Sequence, residues 1–292
     1  MPTAQANGIT IEYDTFGSPD DPALLLVMGF TAQMTAWRED FCKLLADRGL
    51  FVIRYDNRDC GLSQKFDGAA LDMSAMMQAM TSGEPFTDAP YTLSDMAADG
   101  IGLLDVLGIE RAHVLGASMG GMIVQTMAIE HPQRLRSVIS VMSSIGNPEY
   151  GQADPAAMAI LLTPPPADRE GVVARATTTK IFQSKRYYDE ELVKANAAAA
   201  YDRSFFPQGA PRQMAAVVAS GDRTEKLREV TIPTLVIHGR DDTLINPSGG
   251  VRTAELIPSA SLLLLADMGH DLPQPLWPVI VDAVASHTAY AG

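Results

Sequence analysis

Apolar and polar positions in the first half of the chain alternate between two periods. Ile9 to Tyr13 alternates residue by residue, as a strand with one wet face does, while Ala23 to Met28 is an unbroken apolar run ended by Gly29, the pattern of a strand covered on both faces. Trp37 to Arg48 has helical spacing and closes at Gly49, before a second unbroken run, LFVIRYD. From Thr92 to Leu107 the apolar positions Met96, Ile101, Leu103, Leu104 and Val106 follow a Thr-Leu-Ser-Asp start and end before Gly108, which predicts a capped amphipathic helix. AHVLG then reads as a strand, and Met119 to Glu130 as a helix stopped by His131-Pro132. Strands and helices in this order predict an α/β protein with a mostly parallel, doubly wound sheet.

The pattern changes after SVISVMSS. Residues 146–228 begin with loop-like sequence around TPPPADRE and continue into helix-like DEELVKANAAAAYDRSF and PRQMAAVVASG. Connections longer than about 15 residues are uncommon in a compact sheet, so this stretch is expected to be an inserted helical cap. The core is then 1–145 and 229–292. After the insertion PTLVIHG and ASLLLLADMG restore the strand pattern, the latter expected to be buried, and a helix is predicted from Trp277 to His287.

Composition narrows the function classes. In 292 residues, 22 Lys and Arg face 35 Asp and Glu, a formal charge of −13 that repels nucleic acid and anionic membrane surfaces. No apolar run approaches the roughly 20 residues of a membrane span, and the N-terminus lacks the basic-then-apolar order of a secretory signal. A cytoplasmic chain with no nucleic-acid or membrane partner is expected. The two cysteines, Cys42 and Cys60, form no metal-ligand spacing and are expected to be ordinary thiols; neither a metal nor a cofactor is expected.

The chemistry concentrates in Gly116-Ala117-Ser118-Met119-Gly120, set between the AHVLG strand and the following helix. A sharp strand-to-helix turn lifts the serine hydroxyl clear of the sheet, and small flanking residues let the two elements approach. A serine hydroxyl needs a base, and the base an orienting carboxylate. His270, in DMGHDLP, is the candidate base, and Asp242, just past IHG, the candidate acid, with Asp241 its rival. Strand ends on one edge of a parallel sheet are where such distant residues meet. The other four histidines, His113, His131, His238 and His287, sit where structural roles suffice. Asp56 and Arg58, in YDNRDCGLS, are expected to form a structural ion pair, and Asp271 to be a solvated charge. For the oxyanion of acyl transfer, backbone N–H donors are expected from Met119 and from Phe30, in the turn that Gly29 opens.

These stretches, LLLVMGF, VIRYDNRDCGLS, RAHVLGASMGG, REVTIPTLVIHGRDD and MGH, resemble the α/β-hydrolase fold superfamily, and within it the bacterial serine carboxylesterases of the aclacinomycin methylesterase type. The resemblance covers nearly the whole chain. It implies an ester hydrolase of small molecules in which Ser118, His270 and Asp242 form a catalytic triad and the N–H groups of Phe30 and Met119 an oxyanion hole. One departure concerns the usual His-Gly before the oxyanion turn, which is Met28-Gly29 here, so Met28 is a candidate for the pocket wall and the bracing of the turn is open. Phe205 and Phe206 of the insertion are the further substrate-binding candidates. A lactonase, a hydrolase of polyketide-type esters, a carbon–carbon bond hydrolase and, from another class, a ligand-binding receptor remain as alternatives.

Overall fold

The computed structural model describes residues 1–292. Its strands are β1 (Thr3–Ala6), β2 (Ile9–Phe16), β3 (Ala23–Val27), β4 (Phe51–Tyr55), β5 (Ala112–Ala117), β6 (Leu135–Val141), β7 (Thr234–Gly239) and β8 (Ala260–Leu265). They form one sheet in the order β1-β2-β4-β3-β5-β6-β7-β8. Only β1 with β2 and β2 with β4 pair antiparallel; from β4 to β8 every pair is parallel. The mostly parallel, doubly wound sheet expected from the alternating pattern is therefore present, in the α/β-hydrolase arrangement that the resemblance implies, with β5 near the middle and its carboxyl end open to the loops of its neighbours.

The unbroken apolar runs follow from burial on both faces. Leu25 and Val27 of β3 enter one apolar core, while Leu24 and Leu26 enter the other. The first core is closed by α3 (Leu93–Val106) and α4 (Met119–Glu130), and the second by α1 (Glu39–Ala46) and α11 (Trp277–Ala291). The Thr92 cap is a reciprocal capping box with Asp95, so the start of α3 matches its sequence signal. The burial expected of β8 is not found. As the last strand of the sheet it is covered less fully, and Leu262 and Leu264 stay 38% and 40% exposed.

Between β6 and β7 the chain forms α5 (Pro155–Leu162), α6 (Arg169–Ala176), α7 (Glu190–Arg203), α8 (Gly209–Ser220) and the short α9 (Thr224–Leu227). Between β4 and α3 lies a helix the sequence pattern did not single out, α2 (Met73–Ser82), which packs Met76 and Ala79 against Ala215 of α8. Its signals were local: the Asp72 side chain caps Ala75 N–H, and Gly83 closes the helix in the left-handed region. α10 (Ser248–Leu256) connects β7 to β8.

Candidate active site

Ser118 sits at the junction of β5 and α4 with φ 56° and ψ −121°, a conformation that costs a non-glycine residue on the order of 1–3 kcal/mol. Its surroundings hold it there. The carbonyl of Ser118 accepts from Gly121 N–H, Met122 N–H and the Ser143 hydroxyl, and its N–H donates to Val141 O. The glycine spacing has a steric cause: a Cβ on Gly116 would overlap the Gly120 carbonyl, and one on Gly120 would overlap the Val27 carbonyl at the end of β3. The strand, the turn and the helix are thus in backbone contact, and the serine side chain faces outward from the junction.

His270 and Asp242 come to this point from loops after β8 and β7. His270 Nε2 lies 2.9 Å from Ser118 Oγ, and His270 Nδ1 lies 2.8 Å from Asp242 Oδ2. The other oxygen of Asp242 accepts from Leu244 N–H and Ile245 N–H at 2.9 and 2.8 Å, which fixes the plane of the carboxylate. Burial alone would push this carboxyl up, but the imidazoles of His270 and His238 outweigh it and hold the carboxyl down at about 2. The rival Asp241 is turned elsewhere and contributes its backbone N–H to Met268 O. His238 is fully buried in β7 and donates from Nε2 to Ile245 O, while His113 pairs with Ser137. Both cysteines are free and buried, and burial pushes their thiols up to about 12, so neither offers a thiolate at neutral pH.

Phe30 and Met119, the expected oxyanion donors, follow Gly29 and Ser118 in sequence. Met119 is the first residue of α4, where an N–H has no partner within the helix. Phe30 follows Gly29, whose α-carbon approaches Ser118 so closely that a Cβ there would lie 2.9 Å from the serine Cβ. The bracing that the Met28-Gly29 departure left open comes from Asn57, whose amide donates to Met28 O at 2.7 Å. Met28 itself is partly buried and packs on the apolar core beside α1.

Asp56 and Arg58 do not pair with each other. Asp56 accepts from Met34 N–H and Leu62 N–H and pairs with Arg203 of α7 at 2.8 Å, whereas Arg58 forms a two-bond pair with Asp99 of α3 at 2.6 Å. The two side chains diverge from the loop after β4, and the opposite charge that each meets comes from a distant part of the chain. Phe205 packs on Tyr201, with ring centroids 4.6 Å apart. Phe206 lies against Lys65 and Arg212 and lines a small cavity with Thr31, Gln33 and Cys60. Neither contacts the His270 ring; the aromatic that does is Phe182, edge-on at 6.2 Å.

Asp271 is not a solvated charge. Its Oδ1 accepts from Ser184 N–H and Gly269 N–H, tying the His270 loop to residues 182–184, and His270 N–H donates to Phe182 O. Burial pushes the Asp271 carboxyl up to about 6, against the pull of these two N–H groups and of His270. The unfolded chain titrates near about 4, so the folded protein binds this proton more tightly and loses stability as pH rises from about 4 to about 6. Asp271→Asn keeps the Oδ1 acceptor without the charge. The variant is expected to melt at least about 2 °C above the parent at pH 8, with the gap shrinking toward pH 5 in thermal unfolding; an equal or inverted gap at the two pH values would contradict this account.

The chain matches the alpha/beta hydrolase fold family over residues 22–273 and belongs to that family. It is 27% identical over 320 aligned positions to a rhodomycin D methylesterase of Streptomyces peucetius, covering 100% of this chain and 99% of that protein. A 3-oxoadipate enol-lactonase of Acinetobacter baylyi is 28% identical over 271 positions, covering 90% of this chain and 87% of the other. Among solved structures, a meta-cleavage product hydrolase of Pseudomonas fluorescens shares the fold with a TM-score of 0.79 at 19% identity, over 100% of this chain and 98% of that one.

Proposed function

We propose that this chain is a serine hydrolase of small-molecule carboxylic esters. The observation that carries the reading is the hydrogen-bonded series Ser118 Oγ, His270 Nε2 and Nδ1, Asp242 Oδ2, with separations of 2.9 and 2.8 Å. Ser118 Oγ attacks the ester carbonyl while His270 Nε2 takes its proton. Asp242 holds the imidazole in the tautomer with Nδ1 protonated and balances the imidazolium as it forms. The N–H groups of Phe30 and Met119 receive the developing oxyanion. His270 then passes the proton to the departing alkoxide, and water, activated by the same imidazole, attacks the acyl-enzyme and frees the acid. Every step uses this chain's own groups and water, so the reading requires no metal or cofactor.

Residues 146–228 act in this reading as a cap that closes the site from above. Phe182, against His270, supports that placement, as do the bonds between residues 182–184 and the His270 loop. Met28 forms part of the wall below, and Phe206, sharing a cavity with Thr31 one residue past Phe30, part of the wall toward α8; Phe205 extends that side through Tyr201. The end-to-end similarity to rhodomycin D methylesterases favours methyl esters among the candidate substrates. No helix is long and apolar enough to cross a membrane.

The test is a panel at equal concentration: methyl esters of aromatic polycyclic acids, p-nitrophenyl acyl esters, enol-lactones and vinylogous diketones. The expected result is kcat/KM at least about 10-fold higher for the esters than for the lactones or diketones, a gap of about 1.4 kcal/mol in transition-state binding. Preference for a lactone or a diketone would keep the serine chemistry and replace the substrate class. Binding without turnover across the panel would favour a receptor.

A further inference from the structure

We propose that Gln213, on α8 of the inserted segment, is a positioning residue that sets the aim of the Phe30 N–H in the oxyanion turn. The inference rests on the reading of Phe30 as an oxyanion donor. Gln213 is fully buried, and its amide spans two backbones: Oε1 accepts from Thr31 N–H and Nε2 donates to Arg58 O, both at 2.8 Å. Its neighbour Arg212 clamps the same helix to the core through two bonds to Asp59 at 2.8 and 2.9 Å, so Gln213 is presented from a fixed base.

The turn it touches needs holding. Residues 29–32 form a four-residue turn closed by Ala32 N–H to Gly29 O at 3.3 Å, with Thr31 in its third position at φ 57°. That region suits glycine or asparagine, and a β-branched residue there is strained. Rotation of the peptide between Phe30 and Thr31 would relieve the strain, and it would also pull Thr31 N–H off Gln213. Asn57 pins the peptide before Gly29 through Met28 O, and Gln213 pins the peptide after Phe30. The peptide carrying the Phe30 N–H therefore lies between two fixed neighbours, one held by the core and one by the inserted segment. Loss of the second pin frees the donor's direction while leaving the apolar pocket in place.

The experiment uses the full-length enzyme with p-nitrophenyl butyrate and, separately, phenylboronic acid, whose tetrahedral serine adduct places an oxygen where the oxyanion forms. Gln213→Met is expected to lower kcat by about 10- to 100-fold with KM within about twofold, since misaiming a donor costs no more than removing one. Phenylboronic acid affinity should fall by a similar factor. In a Thr31→Gly background, where positive φ carries no penalty, the same substitution is expected to cost less than about threefold, a coupling that a merely structural role would not produce. Wild-type kcat in Gln213→Met, a loss confined to KM, or an equal loss in both backgrounds would overturn the proposal. Should Gln213→Met lack a cooperative unfolding transition, Gln213→Leu, which also removes the acceptor for Thr31, is judged by the same readouts. If Ser118→Ala left ester hydrolysis intact, the serine reading would fail and this inference with it; a dead Ser118→Ala beside a fully active Gln213→Met sinks this inference alone.

Discussion

Ser118→Ala is expected to lower kcat for p-nitrophenyl butyrate by on the order of 10⁶ and to abolish labelling by a fluorophosphonate. The loss should be catalytic and not structural. The serine side chain caps nothing in α4, while the bonds that hold the elbow run through the Ser118 backbone to Gly121, Met122, Ser143 and Val141. Alanine at this position keeps all of them. Circular dichroism and the melting temperature should therefore stay close to the parent's, and a folded variant with near-parental turnover would remove Ser118 from the mechanism.

Asp242→Asn is expected to lower kcat by about 10⁴, and the geometry says why the amide would be so damaging. The oxygen nearest Leu244 and Ile245 accepts two N–H bonds, so an asparagine would place its own oxygen there and turn its NH₂ toward His270 Nδ1. That arrangement selects the tautomer protonated on Nε2, which can no longer accept the Ser118 proton. Asp241→Asn, by contrast, should change kcat by less than about twofold, because Asp241 enters the site's network only through its backbone N–H to Met268. The opposite ranking of the two variants, measured under saturating substrate, would shift the acid by one position along the loop.

How much of this was legible in the sequence depended on the range of the interaction. The central strands were readable because burial on both faces leaves no polar position, as in ALLLV at β3, and α3 because its cap and its closing glycine are local. The elbow was readable because the serine, its flanking glycines and the switch from strand to helix lie within a few residues. β8 misled, since a leucine run looks the same at the edge of a sheet as in its middle. The partners of Asp56 and Arg58 were hidden because they come from α7 and α3, far along the chain. Gln213 carried no signal at all, being one glutamine in an alanine-rich helix whose two bonds are to backbone atoms more than a hundred residues away.

The ion pairs under the inserted helices bear on how freely such a segment could be exchanged between proteins. Asp56 and Asp59 are both shut off from solvent, and their counter-charges, Arg203 and Arg212, arrive only with α7 and α8. A buried pair of this kind adds little net stability, but removing one partner strands a charge at a cost of about 3–5 kcal/mol. A foreign segment transplanted between β6 and β7 would therefore have to deliver two arginines to the same two carboxylates, or the host would need both aspartates neutralised first. Exchange of the segment is thus constrained by electrostatics at the seam, whereas point changes in these helices that spare Arg203 and Arg212 leave both pairs in place.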